Sequence, residues 1–166
     1  MTTPPALPSD LLLLAIDLQP KFLAAMADAA TVQRRCEFAV AAARGLGLSV
    51  AFTEQVPEKL GVTAPTLRAL APEAPVWAKQ TFSALADDAI RAALLEHHRV
   101  QHLLLCGIET PVCVYQTAVA AIAEDIQVTI LSDAVGARRP DDAHACLAAL
   151  ARAGAHVLPS ETVFYA

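Results

Sequence analysis

Residues Leu103 to Thr117 read LLLCGIETPVCVYQT, a continuous apolar run that passes through a turn into a helical pattern. A run without alternation marks a strand covered on both faces, as in parallel sheets flanked by helices. Leu103, Leu104, Leu105 and Cys106 supply that strand, and Val114 to Ala123 the helix. Cys113 falls at the seam. A thiol in the first turn of a helix faces unpaired N–H groups and the positive end of the macrodipole, both of which favour thiolate. The expectation is therefore a nucleophile with a depressed pKa, set against the ordinary reading of cysteine as a small, inert core residue.

The same strand-to-helix alternation recurs along the chain. Leu11 to Ile16 is an apolar strand ending at Asp17, with Gln19, Pro20 and Phe22 behind it. Thr31 caps a helix running to Gly45, and Leu48 to Phe52 is a second strand carrying Thr53, Glu54 and Gln55 at its end. Val56 to Pro75 holds four prolines and a short helix at Thr66 to Leu70, and is expected to wall a pocket. Pro75 to Ala78 forms a strand that delivers Lys79, and a helix follows from Asp87 to His97. Gln127 to Leu131 is a further strand, Pro140 opens a helix that Gly154 ends, and Ala155 to Leu158 precedes a last turn at Ser160 and Glu161. Alternating strands and helices imply a parallel sheet with right-handed crossovers. Residues 1–9 (MTTPPALPS) read as a loose arm, leaving residues 10–166 as a single domain.

Composition narrows the function classes. A net charge of −5 with pI near 5.4 provides no footprint for nucleic acid or an anionic membrane, so neither is expected as a partner. The run Leu11 to Ile16 lacks a basic flank and is far too short to span a bilayer, which points to the cytoplasm. Cys36, Cys106, Cys113 and Cys146 show no C-x-x-C spacing, so neither a zinc site nor a thioredoxin-like motif is indicated. Cys36, Cys106 and Cys146 read as core thiols.

Gly107, Ile108, Glu109, Thr110, Cys113, Val114, Thr117 and Ala118 spell G-I-x-T-x-x-C-V-x-x-T-A, which resembles the nucleophile turn of the isochorismatase-like cysteine hydrolases. Asp17, Gln19 and Phe22 (D-x-Q-x-x-F) resemble that family's opening, and Lys79, Phe82 and Ser83 (K-x-x-F-S) its third catalytic element. Ser132 to Arg138 and the terminal G-A-x-x-x-x-S-E extend the resemblance over nearly the whole chain. It implies an α/β fold, a three-layer α/β/α sandwich on a six-stranded parallel sheet of order 3-2-1-4-5-6. In that order the first and fourth strands meet at the topological switch point, where open α/β sheets bind ligands.

The resemblance implies a catalytic triad of Asp17, Lys79 and Cys113, with Lys79 lowering the pKa of the thiol. It also implies a cis peptide joining Ile108 to Glu109, and an oxyanion hole formed by the N–H groups of Glu109 and Cys113. Gln19, Phe22, Phe82, Thr110 and Val112 flank the triad and are the expected substrate-binding positions. Metal-binding nicotinamidases carry an Asp-x-His after the second strand; here no histidine precedes His97, so neither a metal nor another cofactor is expected. The implied activity is hydrolysis of a small amide-like C–N substrate through a thioester, by a homo-oligomeric enzyme. Vinyl ether hydrolysis of the isochorismatase type and a thiol redox or binding role on the same fold are the alternatives. Lys79 poses the open geometrical question, since an edge strand would place it far from Asp17.

Overall fold

The computed structural model describes residues 10–165; the arm expected over residues 1–9 lies outside the described residues. Six strands, β1 (Leu11–Ile16), β2 (Ser49–Gln55), β3 (Val76–Lys79), β4 (His102–Ile108), β5 (Gln127–Gly136) and β6 (His156–Leu158), form one sheet in the order β3-β2-β1-β4-β5-β6. Every neighbouring pair is parallel.

The lack of alternation in the strand sequences has its cause in two separate cores. Leu13 and Ala15 of β1 face one side, with Leu104 and Cys106 of β4 and with Cys36, Ala39, Val40 and Ala43 of helix α2 (Ala29–Gly45). Leu12, Leu14 and Ile16 face the other, with Leu103 and Leu105 and with residues from three further helices. Leu12, Leu13 and Leu14 are each at most 1% exposed. Burial of such a side chain stabilises by about 1.5–3 kcal/mol relative to exposure, and here it does so on both faces of one strand.

Before α2 lies the short helix α1 (Pro20–Leu23). The expected pocket wall after β2 contains two short helices, α3 (Pro57–Leu60) and α4 (Pro65–Leu70), each opened by proline at its first position, where the missing N–H has no consequence. This segment is pinned: Glu54 Oε1 accepts from the N–H of Thr63 at 2.7 Å and its hydroxyl at 2.8 Å, and the Ala64 N–H donates to Leu18 O at 2.9 Å.

Several boundaries differ from expectation. α2 begins two residues before Thr31 because Asp28 is the cap, accepting from the Thr31 N–H at 3.4 Å, while the Thr31 hydroxyl accepts from Arg34. β2 extends through Gln55, because β3 pairs with it up to Gln55 and Lys79. The helix expected over Asp87 to His97 is α5 (Asp88–Ala92) followed by a π-helical turn, with Asp87 as cap. β5 runs five residues past Leu131, since a register shift between Leu105 and Gly107 lets it resume pairing at Val135 and Gly136. Beyond β4 lie α6 (Tyr115–Ala123), α7 (Pro140–Arg152) and α8 (Ser160–Phe164).

Candidate active site

Asp17, Lys79 and Cys113 come from three segments that end at the carboxyl edge of the sheet. Asp17 follows β1 with φ of 54°, a left-handed conformation that aspartate tolerates better than most residues. Its N–H donates to Thr53 O at 3.1 Å and its carbonyl accepts from Gln19 N–H at 2.8 Å, so the backbone turns sharply and the carboxylate stays inside. Gly107 sits opposite Ile16 with φ of 115°, where an added Cβ would lie 2.1 Å from Ile16 O. Only glycine lets β4 approach β1 so closely at this level.

The carboxylate is held by one partner from the adjacent strand β2 and one from β3 beyond it. Thr53 Oγ1 donates to Oδ1 at 2.7 Å, and Lys79 Nζ donates to Oδ2 at 2.7 Å. Both charged side chains are wholly buried. Lys79 ends the edge strand β3, and the segment after it turns back across the carboxyl edge of the sheet, bringing the Thr81 and Phe82 carbonyls to Nζ and the Ala84 N–H to Thr117 of α6. The four-carbon stem passes the end of β2, where Nζ also donates to Gln55 Oε1 at 2.5 Å and to the carbonyls of Thr81 and Phe82 at 3.2 and 3.3 Å. Thr53 and Gln55, absent from the expected site, are thus the residues that make the Lys79–Asp17 pair possible. Their signal was T-E-Q, two residues on the same face at the carboxyl end of a strand.

Cys113 is 1% exposed. It lies within a π-helical turn, Thr110–Val114, ahead of α6 rather than in the first turn of a regular helix. Glu109 O takes the N–H groups of Val112 and Val114 at 3.0 and 3.2 Å. The thiol is pushed up to about 12: burial acts first, then the negative charge of Asp17, while the positive charge of Lys79 pulls the other way. The expected depressed pKa is therefore corrected. Two of the N–H groups counted on to favour thiolate are already bonded, and the sulfur is dry and faces an acid.

The Ile108–Glu109 peptide is cis. The Glu109 side chain is 4% exposed and receives Arg138, whose Nε donates to Oε1 and Oε2 at 3.1 and 3.0 Å and whose N–H reaches Oε1 at 3.3 Å. Thr110 Oγ1 donates to Gly136 O at 2.9 Å, fastening the nucleophile turn to β5. Arg138 entered the sequence reading only as part of a motif.

The expected substrate-binding positions divide. Gln19 is fully buried with both amide N–H groups engaged, on Gln55 O at 3.0 Å and Gly61 O at 2.5 Å, while its Oε1 accepts from Gln55 N–H at 2.8 Å. It is a strut between β2 and α3, and the buried Thr110 is likewise committed to backbone. Phe22 packs against the α2-side core and Val112 against the other. Phe82 is 53% exposed beside the lysine. A depression of about 370 Å³ bordered by Pro57, Glu58, Gln80, Thr81 and Asp87 reaches Lys79 but is lined by neither Asp17 nor Cys113. Among the described residues no group of three or more His, Cys, Asp or Glu side chains could hold a metal ion, and no helix is long and apolar enough to cross a membrane.

A doubly covered parallel sheet, with a buried acid and lysine converging beside a cysteine turn at its carboxyl edge, defines an α/β protein of the isochorismatase-like class. The Isochorismatase domain family matches residues 11–162. The chain is 34% identical to mouse (Mus musculus) isochorismatase domain-containing protein 2A over 157 residues, 95% of this chain and 74% of that protein. Among solved structures, one described as the MAR1 ribonuclease from Caenorhabditis elegans superposes with a TM-score of 0.87 at 32% identity, covering 95% of this chain and 80% of that one. YcaC from Pseudomonas aeruginosa, described with hexane-2,5-diol and covalent acrylamide, superposes with a TM-score of 0.87 at 25% identity, covering 99% and 83%. The chain belongs to the isochorismatase family and is a hydrolase of that family.

Proposed function

We propose that the chain hydrolyses a small carboxamide or related C–N substrate through a thioester on Cys113. The observation that carries this reading is the buried contact between Lys79 Nζ and Asp17 Oδ2 beside the cysteine turn. With its pKa near 12 the resting sulfur is a thiol, so attack requires a base, and Asp17, whose charge acts on the sulfur, is the carboxylate placed to serve as one. Asp17 takes the thiol proton as Sγ bonds to the carbonyl carbon. The N–H groups of Glu109 and Cys113 meet the resulting oxyanion. Asp17 then passes the proton to the leaving nitrogen, the C–N bond breaks, and an amine or ammonia departs. Water, deprotonated by the same carboxylate, attacks the thioester and releases the acid, returning the proton to sulfur. Lys79 holds and orients Asp17 throughout.

The worm structure's description as a ribonuclease suggests another substrate class, but a net charge of −5 gives this chain little attraction for a polyanion. A homo-oligomer in the cytoplasm completes the reading. The test is a screen of small amides for ammonia release with the parent and Cys113→Ala. Loss of turnover in the variant is expected on any amide the parent hydrolyses, and full retention would sink the mechanism.

A further inference from the structure

Ser83 is 7% exposed, and its hydroxyl oxygen is buried without a hydrogen-bond partner among the described residues. A serine that opens a helical turn ordinarily turns its oxygen onto an N–H of that turn. Ser83 opens the turn Ala84–Ala86 and does not. The Ala84 N–H donates to Thr117 Oγ1 at 3.0 Å, and the Ala86 N–H to the Ser83 carbonyl at 3.3 Å. A buried unpaired hydroxyl destabilises the free protein, and such groups are rare enough to need a reason.

Its surroundings supply one. Phe82 O, one residue before it, accepts from Lys79 Nζ, and Ala84, one residue after it, is tied to Thr117, a helical turn beyond Cys113. Ala84 and Leu85 pack in the same core as Cys113 and Val114. Ser83 therefore stands where the lysine segment meets the nucleophile helix.

We infer that Ser83 Oγ is a substrate-binding group of the cysteine site, hydrogen-bonding the carboxamide of the bound substrate; this rests on the amide hydrolase reading above. A hydroxyl both donates and accepts, so it can meet either edge of an amide. Binding would give the buried hydroxyl the partner that no described residue supplies.

Acrylamide serves as the probe, since it joins a carboxamide to an electrophilic carbon. Addition forms a bond from Cys113 Sγ to the β-carbon and delivers the thiol proton to the α-carbon, with no oxidant required. Acrylonitrile undergoes the same addition without an amide. Rates at Cys113 are measured by peptide mass spectrometry in the parent and Ser83→Ala. The expected result is an acrylamide rate about three- to tenfold lower in the variant, an unchanged acrylonitrile rate, and a thermal midpoint that is equal or higher. Equal slowing of both probes, no slowing, or a lower midpoint would each overturn the assignment, the last because the hydroxyl would then have a partner within the protein. If the parent rate never saturates with acrylamide, no amide pocket adjoins Cys113, and the hydrolase reading falls together with the role of Ser83.

Discussion

Lys79 Nζ lies 2.7 Å from Asp17 Oδ2 although β2 stands between the strands that carry them. At the far side of that strand Nζ is held by Gln55 Oε1 and the carbonyls of Thr81 and Phe82. Removing two charges from water is costly, and the pair persists because each charge keeps a full set of partners.

Breaking this pair should therefore cost more than an ordinary surface substitution. Lys79→Met leaves a buried carboxylate without its cation and is expected to lower the unfolding free energy by about 3–5 kcal/mol. Adding Asp17→Asn should recover part of that loss, by a coupling that urea unfolding of the four forms would measure.

The state of Cys113 gives a second expectation, with opposite effects on two readouts. Because the thiol is pushed up to about 12, alkylation by acrylonitrile should keep rising with pH through pH 10 instead of levelling near the ordinary thiol value. Asp17→Asn removes a negative charge beside the sulfur, so it should speed alkylation at pH 8 while abolishing amide hydrolysis. A slower reaction in this variant would contradict the electrostatic account.

Arg138 tests the link between the Glu109 side chain and the turn that bears Cys113. Arg138→Gln removes the only cation bonded to that buried carboxylate among the described residues, freeing the backbone whose N–H faces the sulfur. On a hydrolysed amide, kcat should fall about ten- to hundredfold with KM little changed, and Arg138→Lys should restore part of it. An unchanged kcat would remove Arg138 from the positioning of the site.

Gly107→Ala should be severely destabilising. The methyl would enter the Ile16 carbonyl at a φ of 115°, combining overpacking with backbone strain for a cost of about 2–6 kcal/mol. Thermal unfolding would reveal it, with Gly45→Ala, where an added Cβ meets nothing within 4 Å, as the reference.

A last expectation concerns acid. Asp133 accepts from the Ser160 N–H at 2.8 Å, from its hydroxyl at 2.7 Å, and from Arg35, joining β5, α2 and the start of α8. Burial works to raise its pKa, but the Ser160 donors and Arg35 outweigh that and hold it below the ordinary carboxylate value. Its stabilising contribution is thus present above the unfolded value, about 3.9, and is lost as pH falls through the lower folded value. Asp133→Asn should flatten the stability profile across that window, as acid titration of unfolding would show.

Much of this molecule could be read directly from its residues. Leu11 to Ile16 and Leu103 to Cys106 are apolar without alternation because each strand faces two cores, and that alone dictates a doubly covered parallel sheet. The motifs around Asp17, Lys79 and Cys113 likewise lie in local sequence, since each is a turn at a strand's carboxyl end. Helix starts were less legible, because Asp28 and Thr31 are both good caps and only the folded backbone selects between them. Three properties arise from atoms distant in the chain. The reach of Lys79 to Asp17 depends on Thr53 and Gln55 of another strand, and the elevated pKa of Cys113 depends on how completely the fold excludes water. The isolation of the Ser83 hydroxyl depends on the segments that close around it. Periodicity fixes which residues are buried, but hydration and charge at a site are sums over everything packed around it, and only the tertiary structure performs that sum.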